Sequence, residues 1–131
     1  MISLGGNTLA IGKKPNGAPF KIGVQKPFAE QNEVLTSLDL VDQSVVSSGT
    51  YERYFKKNGI LYHHLLDPTT GYPYENGLQQ VTILSEKSVD GDALSTTCFA
   101  LGLEKGSRLI ESLDGVRAIF VTEDGQMHSV G

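Results

Sequence analysis

The Asn58-Gly59 pair constrains this chain most, because it sits between two short apolar runs and turns them back on each other. Asn and Gly both accept the positive φ that a two-residue hairpin turn requires. Tyr51–Phe55 and Ile60–Tyr62 are therefore expected to be antiparallel neighbours. Similar punctuation recurs at Gly5-Gly6-Asn7, between candidate strands Met1–Leu4 and Thr8–Ile11. It recurs again at Glu123-Asp124-Gly125, between Val116–Val121 and Met127–Val130. Phe20–Val24 alternates apolar with small or polar residues, Val34–Leu40 leans the same way less regularly, and Ser44–Ser47 reads as a short strand. Leu78–Leu84 places Val81 and Ile83 on one face. Lys13–Pro19, Pro27–Glu33 and Asp67–Pro73 are rich in turn residues and are expected to be loops.

One region follows a helical period instead. Asp90-Gly91-Asp92 is expected to open a helix, with Leu94, Cys98 and Leu101 forming one apolar stripe and Gly102 ending it. Glu104–Leu113 is expected to be a second helix, with Leu109, Ile110 and Leu113 on one side and Asp114-Gly115 as its stop. Many hairpin-joined strands, two consecutive helices and a final hairpin predict an α+β fold: an antiparallel sheet with both helices on one face. Residues 1–131 read as a single domain, without repeat or linker.

Composition narrows the function classes. The net charge is −4 and no basic stripe appears, so nucleic-acid binding through phosphate neutralisation is not expected. The single cysteine, Cys98, lies inside the apolar helical pattern and reads as a small buried residue. No run approaches the ~20 apolar residues of a membrane-spanning helix, and no membrane contact by this chain is expected. The start, M-I-S-L-G-G-N, reads as a strand entering a turn, which suggests a piece of something longer.

Two groups of residues carry chemistry. If a helix starts near Asp92, then Asp92 and Thr96 stack one turn apart. A carboxylate and a hydroxyl there are hard oxygen donors suited to Mg²⁺, which completes its shell with water and substrate phosphates. The adjacent helix N-terminus favours an anion such as a pyrophosphate. The same two residues equally fit an N-cap and a polar helix position, and spacing alone leaves both readings open. His63 and His64 are adjacent, so in a strand they point to opposite faces and make a poor chelate for one metal. A pocket-facing imidazole can move a proton or hold a ring, whereas two surface or capping histidines are the plainer reading. Asp67-Pro68-Thr69-Thr70-Gly71 has the composition of a type I turn, and Arg53 suits an exposed strand position.

In combination these pieces say more. L-G-G-N at Leu4–Asn7, S-S-G-T-Y-E-R-Y-F at Ser47–Phe55, Y-H-H-L-L-D-P-T-T-G-Y-P at Tyr62–Pro73 and D-A-L-S-T-T at Asp92–Thr97 occur in that order, with E-D-G at Glu123–Gly125 behind them. The set resembles the C-terminal half of the ApbE-type family, the FAD:protein FMN transferases once known as thiamine biosynthesis lipoproteins. That resemblance implies a T-fold-like α+β domain. It also implies a Mg²⁺-dependent reaction that splits FAD at its pyrophosphate, transfers FMN to a threonine of a target flavoprotein subunit, and releases AMP.

Carried over residue by residue, the resemblance implies that Asp92 and Thr96 hold the metal, with the Ser95 backbone carbonyl adding to them. His64 becomes the catalytic or flavin-contacting histidine, and Leu66 a contact to FAD. The family is typically extracytoplasmic and anchored to the cell membrane as a lipoprotein. About half of a full-length member would precede Met1, including further FAD contacts and another metal ligand, so this chain is expected to be incomplete for activity. FAD hydrolysis and a non-catalytic flavin- or nucleotide-binding module are the alternatives. Exposed strand edges at Met1–Leu4 would also permit self-association.

Overall fold

A computed structural model describes residues 1–30 and 33–131. Its centre is an antiparallel six-stranded sheet in the order β1 (Ile2–Leu4), β2 (Asn7–Ala10), β5 (Gln43–Gly49), β8 (Leu78–Ser85), β9 (Arg117–Thr122), β10 (Met127–Val130). Two separate hairpins are inserted between sheet strands: β3 (Phe20–Gln25) with β4 (Val34–Leu40), and β6 (Tyr54–Lys57) with β7 (Ile60–His63). The turns read from sequence set these pairings. Asn58 and Gly59 both take positive φ between β6 and β7, where Lys57 pairs with Ile60. Tyr51–Arg53, expected to belong to that strand, instead forms the bend leading into it. Residues 31 and 32, within the loop expected over Pro27–Glu33, lie outside the described residues.

The helical region corrects the expectation of two separate helices. Ser88–Glu111 is one helical element, α1, and Gly102 is a kink inside it, at φ 78° and ψ 174°, instead of a stop. The sheet explains the kink. β8 and β9 flank α1 in sequence yet pair antiparallel, whereas a straight crossover helix would make them parallel. Cys98 and Gly106 would lie about 12 Å apart along a straight helix. In the structure Cys98 Sγ is 3.9 Å from the Gly106 carbonyl oxygen. The second half of α1 therefore folds back beside the first.

Both faces of the sheet are covered. On the α1 side, Val81 and Ile83 from β8 and Ala118 and Phe120 from β9 pack against Cys98, Phe99 and Ile110, with Leu65 and Leu78 completing the cluster. Phe99, Phe120, Ile83 and Ile110 are fully buried, and each such side chain contributes about 1.5–3 kcal/mol by leaving water. On the opposite face Ala10, Val45, Leu84 and Leu40 form a second cluster beneath Phe20, Ile22 and Leu38 of the β3–β4 hairpin. Strand alternation thus sends Ser47 toward the β3–β4 side and Ser48 toward α1.

Candidate functional site

The polar motifs converge on the end of β5 and the bend after it. The Ser47 N–H donates to the Gly6 carbonyl at 2.8 Å, which ties the β1–β2 turn to β5. A Cβ on Gly6 would sit 2.8 Å from the Ser47 carbonyl oxygen and 3.1 Å from Glu52 Oε1, so the glycine is needed for this approach. On one face of the sheet Ser47 Oγ bonds Thr82 Oγ1 at 2.8 Å. On the other, Ser48 Oγ lies 2.8 Å from Ser95 Oγ and 3.3 Å from Thr96 Oγ1.

Asp92, Ser95 and Thr96 lie along α1. The helix begins at Ser88 with Lys87 as its N-cap, so Asp92 sits in the second turn and does not cap it. The reading of Asp92 as a capping residue is thereby removed. Asp92 and Thr96 are both exposed, while Ser95 is fully buried between them and β5. Ser95 Oγ donates to the Asp92 carbonyl at 3.1 Å, so its hydroxyl is engaged inside the structure. The open helix end packs against the glycine turn, where Ser88 Oγ donates to Asn7 Oδ1 at 2.7 Å. Among the described residues no group of three or more His, Cys, Asp or Glu is placed to hold a metal ion. Asp92 and Thr96 offer two hard oxygens on one helix face, which suits an ion that keeps water and phosphate ligands, as Mg²⁺ does.

The histidine stretch follows strict alternation. His63 and Leu65 are buried, and His64 and Leu66 are exposed. The His64 N–H donates to the Arg53 carbonyl at 3.1 Å, which holds this stretch against the bend after β5. Asp67 closes the following turn by accepting from the Thr69 N–H at 2.8 Å and the Thr69 hydroxyl at 2.7 Å, and these bonds hold its carboxyl below the usual carboxylate range. Leu66 forms an isolated antiparallel bridge with Pro73 across that turn. Beyond it, Asn76 Nδ2 donates to the Phe99 carbonyl at 2.5 Å. The kink at Gly102 disturbs the helical ladder at the point where this carbonyl would find its partner four residues on.

Two cavities border these elements. One of about 710 Å³ lies between the β1–β2 turn, β3 and β5, with Gly5, Gly6, Val24, Ser47, Tyr51 and Glu52 on its walls. Burial pushes the Tyr51 phenol up to about 12, with the Glu52 charge adding to the effect. Burial also raises Glu52 above the usual carboxylate range, opposed by the neighbouring His64 and Arg53 side chains. Glu52 and His64 are thus electrostatic neighbours. A second cavity, of about 590 Å³, is lined by Phe28, Thr50, His63, Tyr74, Glu75 and Glu123 among others.

The structure therefore groups Asp92, Ser95 and Thr96 on α1, and His64 with Leu66 beside the post-β5 bend. Ser48 touches the first group, and the Arg53 carbonyl holds His64 of the second. Sequence reasoning missed the parts of Ser48 and Glu52. The signal for Ser48 was the alternation of β5, which opposes it to Ser47, but only the packing of α1 shows that its side faces Thr96.

Comparison with known proteins gives consistent matches. The ApbE family profile matches residues 1–120. An FAD:protein FMN transferase of Klebsiella pneumoniae (strain 342) is 45% identical over 124 residues, covering 95% of this chain and 37% of that protein. An FAD:protein FMN transferase of Treponema pallidum (strain Nichols) is 35% identical, covering 98% of this chain and 38% of that protein. The crystal structure of the ApbE protein from Thermotoga maritima superposes with a TM-score of 0.83 at 36% identity, covering 96% of this chain and 40% of that one. The chain spans less than two fifths of the length of the two curated relatives.

Proposed function

Because the chain belongs to the ApbE family, we propose that it supplies the C-terminal part of the active site of an FAD:protein FMN transferase. The observation that carries this reading is the Ser48 hydroxyl, which holds Ser95 and Thr96 of α1 against β5, the strand whose opposite face borders the larger cavity at Ser47. FAD lies with its pyrophosphate near that junction. Asp92 and Thr96, with the Ser95 carbonyl, would hold Mg²⁺, which when bound would supply positive charge beside the pyrophosphate.

The chemistry required of the protein is mainly positioning, because phosphoryl transfer gains most from alignment and charge compensation. The acceptor threonine hydroxyl attacks the FMN-side phosphorus. The new Thr–O–P bond forms as the P–O bond to AMP breaks, and AMP leaves as a phosphate monoester. His64, exposed and close to Glu52, takes the hydroxyl proton as attack proceeds. Leu66 packs against the flavin half of FAD, on the same side of the stretch as His64. The helix end at Ser88, held by Asn7, adds backbone N–H groups that favour the anion. The target is a flavoprotein subunit bearing the acceptor threonine, in an extracytoplasmic or membrane-anchored setting.

The test uses the full-length protein containing this chain, FAD, Mg²⁺ and a target protein with its acceptor threonine. Covalent flavin fluorescence on the target and AMP release are followed together. Asp92→Ala is expected to lower transfer by two or more orders of magnitude, the scale on which enzymes lose rate when a charge-stabilising group is removed. Unchanged transfer in Asp92→Ala, or FAD cleavage giving only free FMN, overturns the proposal.

A further inference from the structure

His63 is the histidine that the proposed chemistry leaves unused, and it is the better anchored of the pair. It is 7% exposed. Its Nε2 lies 3.1 Å from the Tyr74 carbonyl oxygen, and its Nδ1 lies 3.3 Å from the Leu65 backbone nitrogen. A carbonyl can only accept and an amide N–H can only donate. One form of the ring satisfies both contacts: neutral imidazole, with its proton on Nε2 and a free lone pair on Nδ1. A second proton would set two N–H groups against each other at Leu65.

These two bonds sit at the base of the turn that carries the proposed flavin-side residues. The Tyr74 N–H donates to the Leu65 carbonyl at 3.0 Å, and the Asp67 N–H donates to the Tyr72 carbonyl at 2.8 Å, so the turn is closed in layers above His63. The ring also meets Phe99 edge-on, with centroids 5.8 Å apart and planes at 77°. Phe99 lies three residues beyond Thr96 on α1, and its carbonyl takes the Asn76 side chain. With His63 and Leu65 turned inward, His64 and Leu66 are turned outward.

We propose that His63 is a positioning residue, held as the neutral Nε2–H tautomer, that fixes the His64–Leu66 stretch relative to α1. The proposal rests on the reading of His64 and Leu66 as the flavin-side residues. Its consequence is an acid-sensitive site: protonating His63 removes the Leu65 bond and loosens the turn while Asp92 and Thr96 keep their places. The charged or titratable neighbours are His64 on the same stretch, Tyr74 and Glu75 after the turn, and Glu123 across the second cavity. Burial of the ring is the largest influence on its titration and lowers it, as does His64, whereas the Tyr74 carbonyl and Glu75 oppose the change.

The experiment uses the full-length protein and has two arms. In the first, nitrogen-15 NMR of the histidine ring assigns the tautomer, and the Leu65 amide is followed from pH 8 downward. The expected result is an Nε2–H tautomer, with the Leu65 amide signal moving as His63 titrates. A proton on Nδ1, or a Leu65 amide that ignores the titration, overturns the proposal whether or not the enzyme is active.

The second arm compares His63→Gln with His63→Phe, both checked for native melting. Glutamine can keep the donor to Tyr74, whereas phenylalanine keeps only the ring. FMN transfer is expected to fall on the order of 10²-fold in His63→Phe, to recover substantially in His63→Gln, and to lose the His63 component of its acid limb in both. Equal rates in the two folded variants, or an unchanged acid limb, overturn it. Absence of FMN transfer in the parent protein refutes the functional reading instead, and leaves the NMR arm to decide the role of His63.

Discussion

Replacing Gly6 by alanine places a methyl carbon 2.8 Å from the Ser47 carbonyl oxygen and 3.1 Å from Glu52 Oε1. The Glu52 carboxylate can turn aside, but the Ser47 contact is not easily relieved. The Ser47 group is backbone, and the same residue already donates its N–H to the Gly6 carbonyl at 2.8 Å. Moving the turn away stretches that bond; keeping the bond compresses the methyl group. Such overpacking costs about 1–3 kcal/mol. Gly5 provides the control. Its φ is 64° and a Cβ there would meet nothing within 4 Å, so Gly5→Ala suffers only left-handed strain of about 1–2 kcal/mol. Asparagine tolerates that region, so Gly5→Asn should recover most of the loss, whereas Gly6→Asn should recover none. In urea, a 2 kcal/mol loss moves the midpoint by about 1 M when the slope is about 2 kcal/mol per M. Gly6→Ala should also weaken FAD binding more than Gly5→Asn does, because Gly6 lines the larger cavity beside Ser47 and Glu52. A Gly6→Ala protein within about 0.5 kcal/mol of the parent, the usual range for a harmless surface change, refutes the reasoning. So does a Gly5→Asn protein as damaged as Gly6→Ala.

Two further outcomes can be measured with the same preparations. Ser48→Ala removes the hydroxyl shared by Ser95 and Thr96 and is expected to weaken Mg²⁺ binding about 10- to 100-fold, the scale for losing a group that orients a metal ligand; magnesium-dependent quenching of bound flavin reads this directly, and unchanged affinity counts against a positioning role for Ser48. For acid stability the sign follows from His63, whose titration is lowered from 6.5 in the folded chain. The unfolded chain then binds more protons just below pH 6.5, so stability is fully present above that value and declines as the pH falls through the folded-state value. Urea midpoints taken from pH 7.5 to 5 should fall in the parent by more than in His63→Gln, and parallel curves would remove His63 as a source of the loss.

Much of the strand pairing was legible because hairpins depend on local turn chemistry. Asn58-Gly59 could be assigned without knowing what surrounds it, and Val81 with Ile83 declared the α1 face of β8 through alternation. The helical region was less transparent. Gly102 gave the same local signal for a stop as for a kink, so the helix read from Glu104 onward was not joined to the one before it. The start at Ser88 was hidden because its stabilising partner, Asn7, is distant in sequence. The histidine pair shows the same division. Alternation separates the two rings onto opposite faces, yet only the packing of Phe99 and the Tyr74 carbonyl decides which ring is buried.

The fold-back at Gly102 connects the architecture to the site. Antiparallel pairing of β8 and β9 requires α1 to reverse, and reversal disturbs the ladder beyond Phe99. The Phe99 carbonyl is then available to Asn76, while its ring receives His63 from the neighbouring strand end. One residue thereby takes both ties from the histidine stretch and its following loop, three positions past Thr96. From the other direction, Ser48 ties Thr96 to β5, and the Arg53 carbonyl ties the bend after β5 to His64. The Asp92–Thr96 and His64–Leu66 segments are consequently held by two independent routes, one through the core and one along the surface. Positions in the site thus depend on a backbone requirement that lies outside it.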